Sequence, residues 1–215
     1  MATSPTSKQL TALKTAVFVL ALLPFLRMAY LIATGQPVDP VAFLTHGSGD
    51  WALYLLCATL AVTPLRRIMS SRSASWNWLV RLRRMLGLYT FFYAALHFLT
   101  FFWFDHDFDV AAMWKDVLKR PFITVGFIAF VLLTPLAATS TNAMIKRLGR
   151  NWARLHKLIY AVAPLAILHY WWMKAAKHNF EQPIIWGVVV AVLLGLRVWW
   201  SVSRKPAKLA PSVRS

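Results

Sequence analysis

Apolar residues fall into six blocks separated by short polar links: Leu10–Ala33, Trp51–Leu65, Arg84–Phe104, Phe122–Ala138, Trp152–Met173 and Pro183–Val202. A helix needs about 20 residues, at about 1.5 Å of rise each, to cross the hydrocarbon of a bilayer. The pattern therefore predicts an all-α integral membrane bundle of about six transmembrane helices. The second block is short for a span and the first contains Pro24 and Arg27, so tilt or local unwinding is expected in one of them. The polar start through Gln9 precedes a block too long for a signal-peptide core, without a small-residue cleavage pattern, and that block reads as a retained helix. A short polar tail (1–9), one membrane domain (10–202) and a basic tail (203–215) result.

The charges in the links give the bundle a direction, because short loops rich in lysine and arginine stay in the cytoplasm. The link after the second block carries Arg66, Arg67, Arg72, Arg81, Arg83 and Arg84, and the one before the fifth carries Lys146, Arg147, Arg150 and Arg154. The link Thr34–Asp50 has neither lysine nor arginine, and the third opens on Asp105, His106, Asp107 and Asp109 before Lys115, Lys119 and Arg120. The fifth is mixed, with Lys174, Lys177 and Glu181, and the tail adds Arg204, Lys205, Lys208 and Arg214. Six helices with both termini cytoplasmic satisfy these signals. Trp51, Trp103, Trp152, Trp171, Trp172 and Trp199 fall near predicted helix ends, the headgroup level that indole rings prefer.

Composition agrees and narrows the chemistry. With 59% hydrophobic and 14% charged residues the chain is too apolar for a water-soluble globule. The net charge of +17 lies in short runs between apolar blocks, so it marks membrane topology and the bilayer as partner, not nucleic acid. The one cysteine, Cys57, sits inside a block, which leaves no disulfide framework and no thiolate metal site. Redox chemistry would have to come from a bound cofactor.

Ionisable side chains inside a membrane are costly and point to function. His97, His156 and His169 qualify, whereas His46, His106 and His178 fall in outward links as ordinary loop residues. His97 lies 13 residues beyond Arg84 and His169 15 residues beyond Arg154, about 20 and 22 Å along helices entering from the same side. The two are nearly level. Neutral imidazoles from facing helices can supply both axial ligands of a haem iron, and the plain alternative is a pair of satisfied histidines packed between helices. His156 is 13 residues before His169, about 20 Å lower, where a second haem would fit. Its missing partner is the difficulty, because the level positions are Arg83 and Arg84, and an arginine cannot ligate iron. Those arginines are candidates for propionate or second-cofactor contacts, and His156 for a haem ligand or an interfacial group. Pro164 between the two histidines can kink the helix and redirect them. Arg27 alone lacks a topological explanation. The aromatic run from Tyr89 to Trp103 could wall a macrocycle, or simply pack.

A histidine on the third helix followed by a pair spaced by 13 on the fifth resembles the ferric reductase-like transmembrane domain shared with NADPH oxidases. Within that superfamily, "LAVTPLRR" from Leu60, "LRRMLGLYTFFYAALHF" from Leu82, "KRPFITVGF" from Lys119, "PLAATSTNAMIKRLGRNWARLHKLIY" from Pro135 and "ILHYWW" from Ile167 resemble the MsrQ (YedZ) family of bacterial haem-binding membrane subunits. The resemblance spans five of the six helices. It implies a multi-pass inner-membrane subunit that takes electrons from respiratory quinol, passes them through haem b and FMN, and hands them to a separate periplasmic molybdenum-containing methionine sulfoxide reductase, a molybdopterin enzyme repairing oxidised envelope proteins. It also implies haem ligation by His97, His156 and His169. Arginine at 83 or 84, where the wider superfamily has a fourth histidine, leaves the number of haems at one or two.

NADPH oxidases continue into a cytoplasmic nucleotide-binding domain. Here about 13 residues follow the last block and no GxGxxG fingerprint occurs, so the expected donor is a quinol or a separate flavin reductase, and the substrate site belongs to the partner chain. Two other classes compete: a self-sufficient membrane reductase of ferric iron or another small outer acceptor, and a haem-free channel or scaffold. A Soret band separates the last from the others.

Overall fold

In the computed structural model the described residues are 6–70, 78–175 and 178–203. Arg72, Lys177 and the tail residues Arg204, Lys205, Lys208 and Arg214 lie outside them. The described chain is helical throughout: α1 Ser7–Ala33, α2 Pro40–Ser70, α3 Leu79–Thr100, a π-helical turn Phe101–Asp105, α4 Val110–Lys119, α5 Pro121–Ala138, α6 Asn142–Leu148, α7 Arg150–Leu155, a 3₁₀ turn His156–Leu158, α8 Ile159–Ala175 and α9 Glu181–Val202. Five elements (α1, α2, α3 with its π turn, α5 and α9) are long and apolar enough to cross a membrane. α8, with 17 residues, is shorter than these and packs against α5 and α9 as the sixth long helix of the bundle.

Cross-helix contacts show that these six helices run alternately up and down. The Tyr89 hydroxyl donates to the Phe18 carbonyl and that of Tyr93 to the Ala21 carbonyl, so α3 is parallel to α1. Gly49 faces His97 and Gly87 faces Thr59, so α2 is antiparallel to α3. α5 and α8 form a second antiparallel pair through Phe122 and His169 at one end and Thr139 and Trp152 at the other. The start of α1, the end of α9, α6 and α7 thus share one end of the bundle, here called the basic end. The link before α2, the π turn, α4 and the start of α9 share the other, the acidic end.

Local chemistry sets the helix boundaries. Thr6 and Gln9 form a reciprocal capping box at the start of α1. α2 opens on Asp39, whose carboxylate accepts the Ala42 N–H, followed by Pro40 at the first helical position. α2 therefore begins well before the predicted Trp51, over a stretch diluted by His46, Gly47, Ser48, Gly49 and Asp50. Two expectations change with it. His46 is a helix residue rather than a loop residue, and Trp51 lies well inside α2, edge-on to Tyr54, instead of marking a helix end.

α4 replaces most of the predicted third link. Asp109 caps it by accepting the Ala111 and Ala112 N–H groups; Met113 and Val117 are buried, and Val110, Trp114 and Leu118 are exposed one turn apart. The predicted fifth helix is broken into α7, the 3₁₀ turn and α8. Gly149 ends α6 at φ 51°, where a β-carbon would be strained.

Tyr93, fully buried, explains how α1 accommodates Pro24. Its hydroxyl donates to the Ala21 carbonyl at 2.8 Å and accepts the Phe25 N–H at 3.0 Å, groups an unbroken helix joins directly. A side-chain oxygen thus stands in the ladder beside the proline. Leu60 and Ala163 are wholly buried in the core, while Leu20, Val198 and Trp199 are more than 60% exposed on the perimeter, where lipid is the natural solvent. Arg27 is exposed six residues before the end of α1, within snorkelling reach of headgroups.

Candidate functional site

His97 on α3 and His169 on α8 meet in the acidic half of the bundle with ring centres 6.0 Å apart and ring planes at 76°. Each is seated in the same way. The Nδ1–H of His97 donates to the Thr45 carbonyl on α2 at 2.8 Å, and that of His169 to the Phe122 carbonyl on α5 at 2.7 Å. A carbonyl only accepts, so both nitrogens carry the proton. Nε2 keeps its lone pair, and no hydrogen bond engages it among the described residues.

Each seat depends on a glycine four residues after its carbonyl. A β-carbon on Gly49 would lie 3.1 Å from His97 Nδ1, and one on Gly126 would lie 2.7 Å from His169 Nδ1 and 2.9 Å from its Cε1. With hydrogen at these positions, the imidazole lies close against the neighbouring helix and reaches its backbone. The two glycines are functional residues that the sequence reading missed. A signal was present for Gly126, an isolated glycine inside the predicted block Phe122–Ala138, where glycine costs about 1 kcal/mol relative to alanine and needs a packing or functional reason, but not for Gly49, which fell in a predicted link beside Gly47.

Both rings line a cavity of about 330 Å³ between α2, α3, α5 and α8. Its walls are apolar, with Leu53, Leu56, Phe98, Phe127, Phe130 and Leu133 among them, and polar groups gather toward the acidic end: His46, Asp50, Asp105, Arg120 and Lys174. Arg120 pairs with Asp116 at 2.8 Å, and Asp116 lies 3.4 Å from His106 Nε2. His106, expected as a solvated loop residue, has a side chain only 11% exposed. His178 lies between α8 and α9 at φ 49°, with its N–H donated to the Ala175 carbonyl. Among the described residues no group of three or more His, Cys, Asp or Glu side chains converges, so no outer metal-collecting cluster is found there. Cys57 is buried and unpaired.

His156 stands apart from this pair, in the 3₁₀ turn at the basic end. Its Nδ1–H donates to the Trp152 carbonyl, four residues back, at 3.1 Å, and its ring stacks on the Trp152 indole at 3.9 Å. Trp152 in turn donates to the carbonyl of Thr139, which ends α5. Arg83 lies within electrostatic reach of His156, while Arg84 bonds Asn142 on α6. Leu133, Leu136, Val162 and Ala163 belong to the buried cluster between the two regions.

The donor set fits a metalloporphyrin between His97 and His169. A metal–imidazole bond of about 2 Å on each side, added to the half-widths of two rings, separates the ring centres by about 6 Å. The carbonyls of Thr45 and Phe122 give such ligands the support they need, because a fixed Nδ1–H sets the tautomer and the ring direction.

Residues 48–167 match the family model described as ferric reductase like transmembrane component, and the chain belongs to that class of membrane protein. Its relatives are more specific. It is 61% identical over 203 residues to the protein-methionine-sulfoxide reductase heme-binding subunit MsrQ of Herminiimonas arsenicoxydans, covering 94% of this chain and 91% of that one. It is 58% identical over 195 residues to the protein of the same name in Ralstonia nicotianae (90% and 88%), and 50% identical over 198 residues to that in Bordetella pertussis (91% and 94%). The chain is a member of the MsrQ family. No solved structure matches it.

Proposed function

We propose that this chain is a transmembrane electron-transfer subunit that binds haem b between His97 and His169. In this reading it takes electrons at the basic end and delivers them at the acidic end to a separate methionine sulfoxide reductase. The carrying observation is the pair of imidazoles on facing helices, each held through Nδ1 by a neighbouring backbone carbonyl, each with a free Nε2 in one apolar cavity. Haem b supplies a one-electron iron couple when bound. The chain's own part is to hold the two ligands as neutral imidazoles, to wall the macrocycle with Phe98, Phe127 and Phe130, and to keep water from its faces. Arg120 and Lys174, at the polar side of the cavity, are suited to carboxylates of the macrocycle.

The arginine-rich links support a reading with the basic end in the cytoplasm and the acidic end in the periplasm of a bacterial inner membrane. The acceptor is then a periplasmic molybdopterin protein, and the donor the membrane quinone pool or a flavin reductase at the basic end. FMN belongs to the same reading through the family. His156, with Arg83 beside it, is the candidate to ligate or orient a second cofactor near the basic surface, where electrons enter. Residues 10–202 form the membrane domain, between a polar start and a basic tail.

The deciding experiment is the reduced-minus-oxidised spectrum and haem content of the purified protein. A low-spin b-type spectrum that disappears in His97→Ala or His169→Ala is expected. A colourless wild type that is folded and was expressed with ample haem refutes the reading.

A further inference from the structure

The chain has seven carboxylate side chains, Asp39, Asp50, Asp105, Asp107, Asp109, Asp116 and Glu181, and all lie at the acidic end or on the half of a helix that leads to it. Arg197 sits in the other half, five residues before the end of α9. No acidic side chain of this protein is in a position to neutralise it.

Part of its role is structural. Pro64 has no N–H, so the carbonyl four residues earlier in α2, that of Leu60, lacks its helical donor. Arg197 Nη2 crosses from α9 and donates to that carbonyl. This accounts for one of the five N–H donors of the guanidinium. Nε and Nη1 are buried with no acceptor. The guanidinium carbon lies 5.4 Å from the centre of the Tyr160 ring on α8, and Arg83 on α3 is within electrostatic reach. The Tyr160 side chain also takes a hydrogen bond from the guanidinium, and four helices therefore meet around a cation of which Nε and Nη1 keep no acceptor. Leaving a buried charged group unpaired costs more than any single hydrogen bond returns, and repair of a proline gap alone does not require a full guanidinium.

We propose that Arg197, with Tyr160 and Arg83 beside it, anchors the phosphate oxygens of a ligand bound at the basic end, at a site separate from the cavity of His97 and His169. Arginine suits this task because its planar donors match phosphate geometry, and two neighbouring guanidinium groups balance the −1.5 to −2 charge of a phosphate monoester at neutral pH, a value typical of such esters. Two sources carry anionic phosphate oxygens: a flavin nucleotide, whose monoester has this charge, or a phospholipid headgroup of the facing leaflet, whose diester carries a single negative charge. The proposal does not depend on haem binding between His97 and His169.

The test uses the full chain purified with its haem. FMN and riboflavin are titrated separately by flavin fluorescence quenching, and phospholipid phosphorus retained after delipidation is measured per protein. For a flavin source, Arg197→Gln weakens FMN binding about tenfold or more, the scale of one charge-assisted hydrogen bond, and leaves riboflavin binding within about twofold on the same scale. For a lipid source, the same variant loses about one equivalent of bound phosphorus, one phosphate per anchoring site. An unchanged visible spectrum reports that the variant is folded. A folded Arg197→Gln with both readings unchanged overturns the proposal, its free donors then being served by water. If that variant does not assemble, Arg197→Lys and the wild type decide. Preference for FMN over riboflavin, competed by inorganic phosphate, or tightly retained phospholipid supports the site, and absence of both overturns it.

Discussion

At the acidic end His97 and His169 reach across a helix interface through Nδ1 to a carbonyl of the neighbouring helix, whereas at the basic end the Nδ1 of His156 bonds Trp152, four residues back in its own segment, and the backbone of Leu136 on α5 is a second partner of the ring. The imidazoles of His97 and His169 thereby carry the proton on Nδ1. The difference is what holds each ring in space. A bond across α2 and α3, or across α5 and α8, ties the ring to tertiary structure, so each ligand is positioned by the packing of the bundle. At the basic end the Nδ1 bond stays within the segment of α7 and the 3₁₀ turn, and the ring is tied to the bundle through Trp152 and the backbone at the end of α5. The acidic site is built for a rigid group seen from two sides, the basic site for a ligand that meets one imidazole and several arginines.

The most severe break in this comparison is loss of a seated ligand. His97→Ala or His169→Ala is expected to lower haem affinity by more than about 100-fold, beyond the 10–100-fold typical of outer-shell changes, with loss of the low-spin spectrum. Retention of that spectrum in either variant would show that the pair does not hold the iron.

The glycine seats come next, and their order is set by geometry. Gly126→Ala places a β-carbon 2.7 Å from His169 Nδ1, a contact that one side must relieve by moving, while Gly49→Ala meets His97 at 3.1 Å. Gly126→Ala should weaken haem binding about 10–100-fold, as outer-shell losses do, and Gly49→Ala by less. Haem titration of the two apoproteins measures both. Equal, wild-type affinities would mean that the carbonyl bonds do not position the rings.

Much of this architecture was legible in the sequence, and the failures have physical causes. The apolar blocks found the five helices long enough to span and the shorter α8, because burying backbone in lipid demands long helices, and counting rise placed His97 and His169 at one level. The first three turns of α2 were missed because Gly47, Ser48, Gly49 and Asp50 dilute hydropathy, and two of those residues serve the site: Gly49 makes room for His97 and Asp50 lines the cavity. Asp39-Pro40 carried the start signal all the same. α4 escaped because an interfacial helix need be apolar on only one face, here Val110, Trp114 and Leu118. The broken helix before His156 and the orphaned Leu60 carbonyl that recruits Arg197 are tertiary facts, invisible until α5 and α9 are in place.

His156→Ala sharpens the contrast with a smaller effect. Since His156 shares no hydrogen bond or ring contact with the acidic pair, the low-spin band of His97 and His169 should persist with unchanged position, and any lost haem or flavin should belong to the basic end. Disappearance of the acidic band would mean that the two regions are one site energetically, despite about 20 Å of helix rise between their histidines.

The smallest expected effect concerns the support of His156. Trp152 stacks on its ring and ties α7 to the end of α5 through the Nε1–H bond to the Thr139 carbonyl at 3.0 Å. Trp152→Phe keeps an aromatic face for the imidazole and removes the donor. Thr139 Oγ1 already donates to the Pro135 carbonyl and cannot replace it. The loss should be about 0.5–1.5 kcal/mol of stability, the net worth of an ordinary hydrogen bond, seen as a modest drop in thermal midpoint with the acidic-end spectrum unaltered. A change in that spectrum larger than the change produced by Gly49→Ala would reverse the ranking, making the anchorage of α7, rather than the glycine seats, the element that sets the geometry of α8 and of His169 upon it.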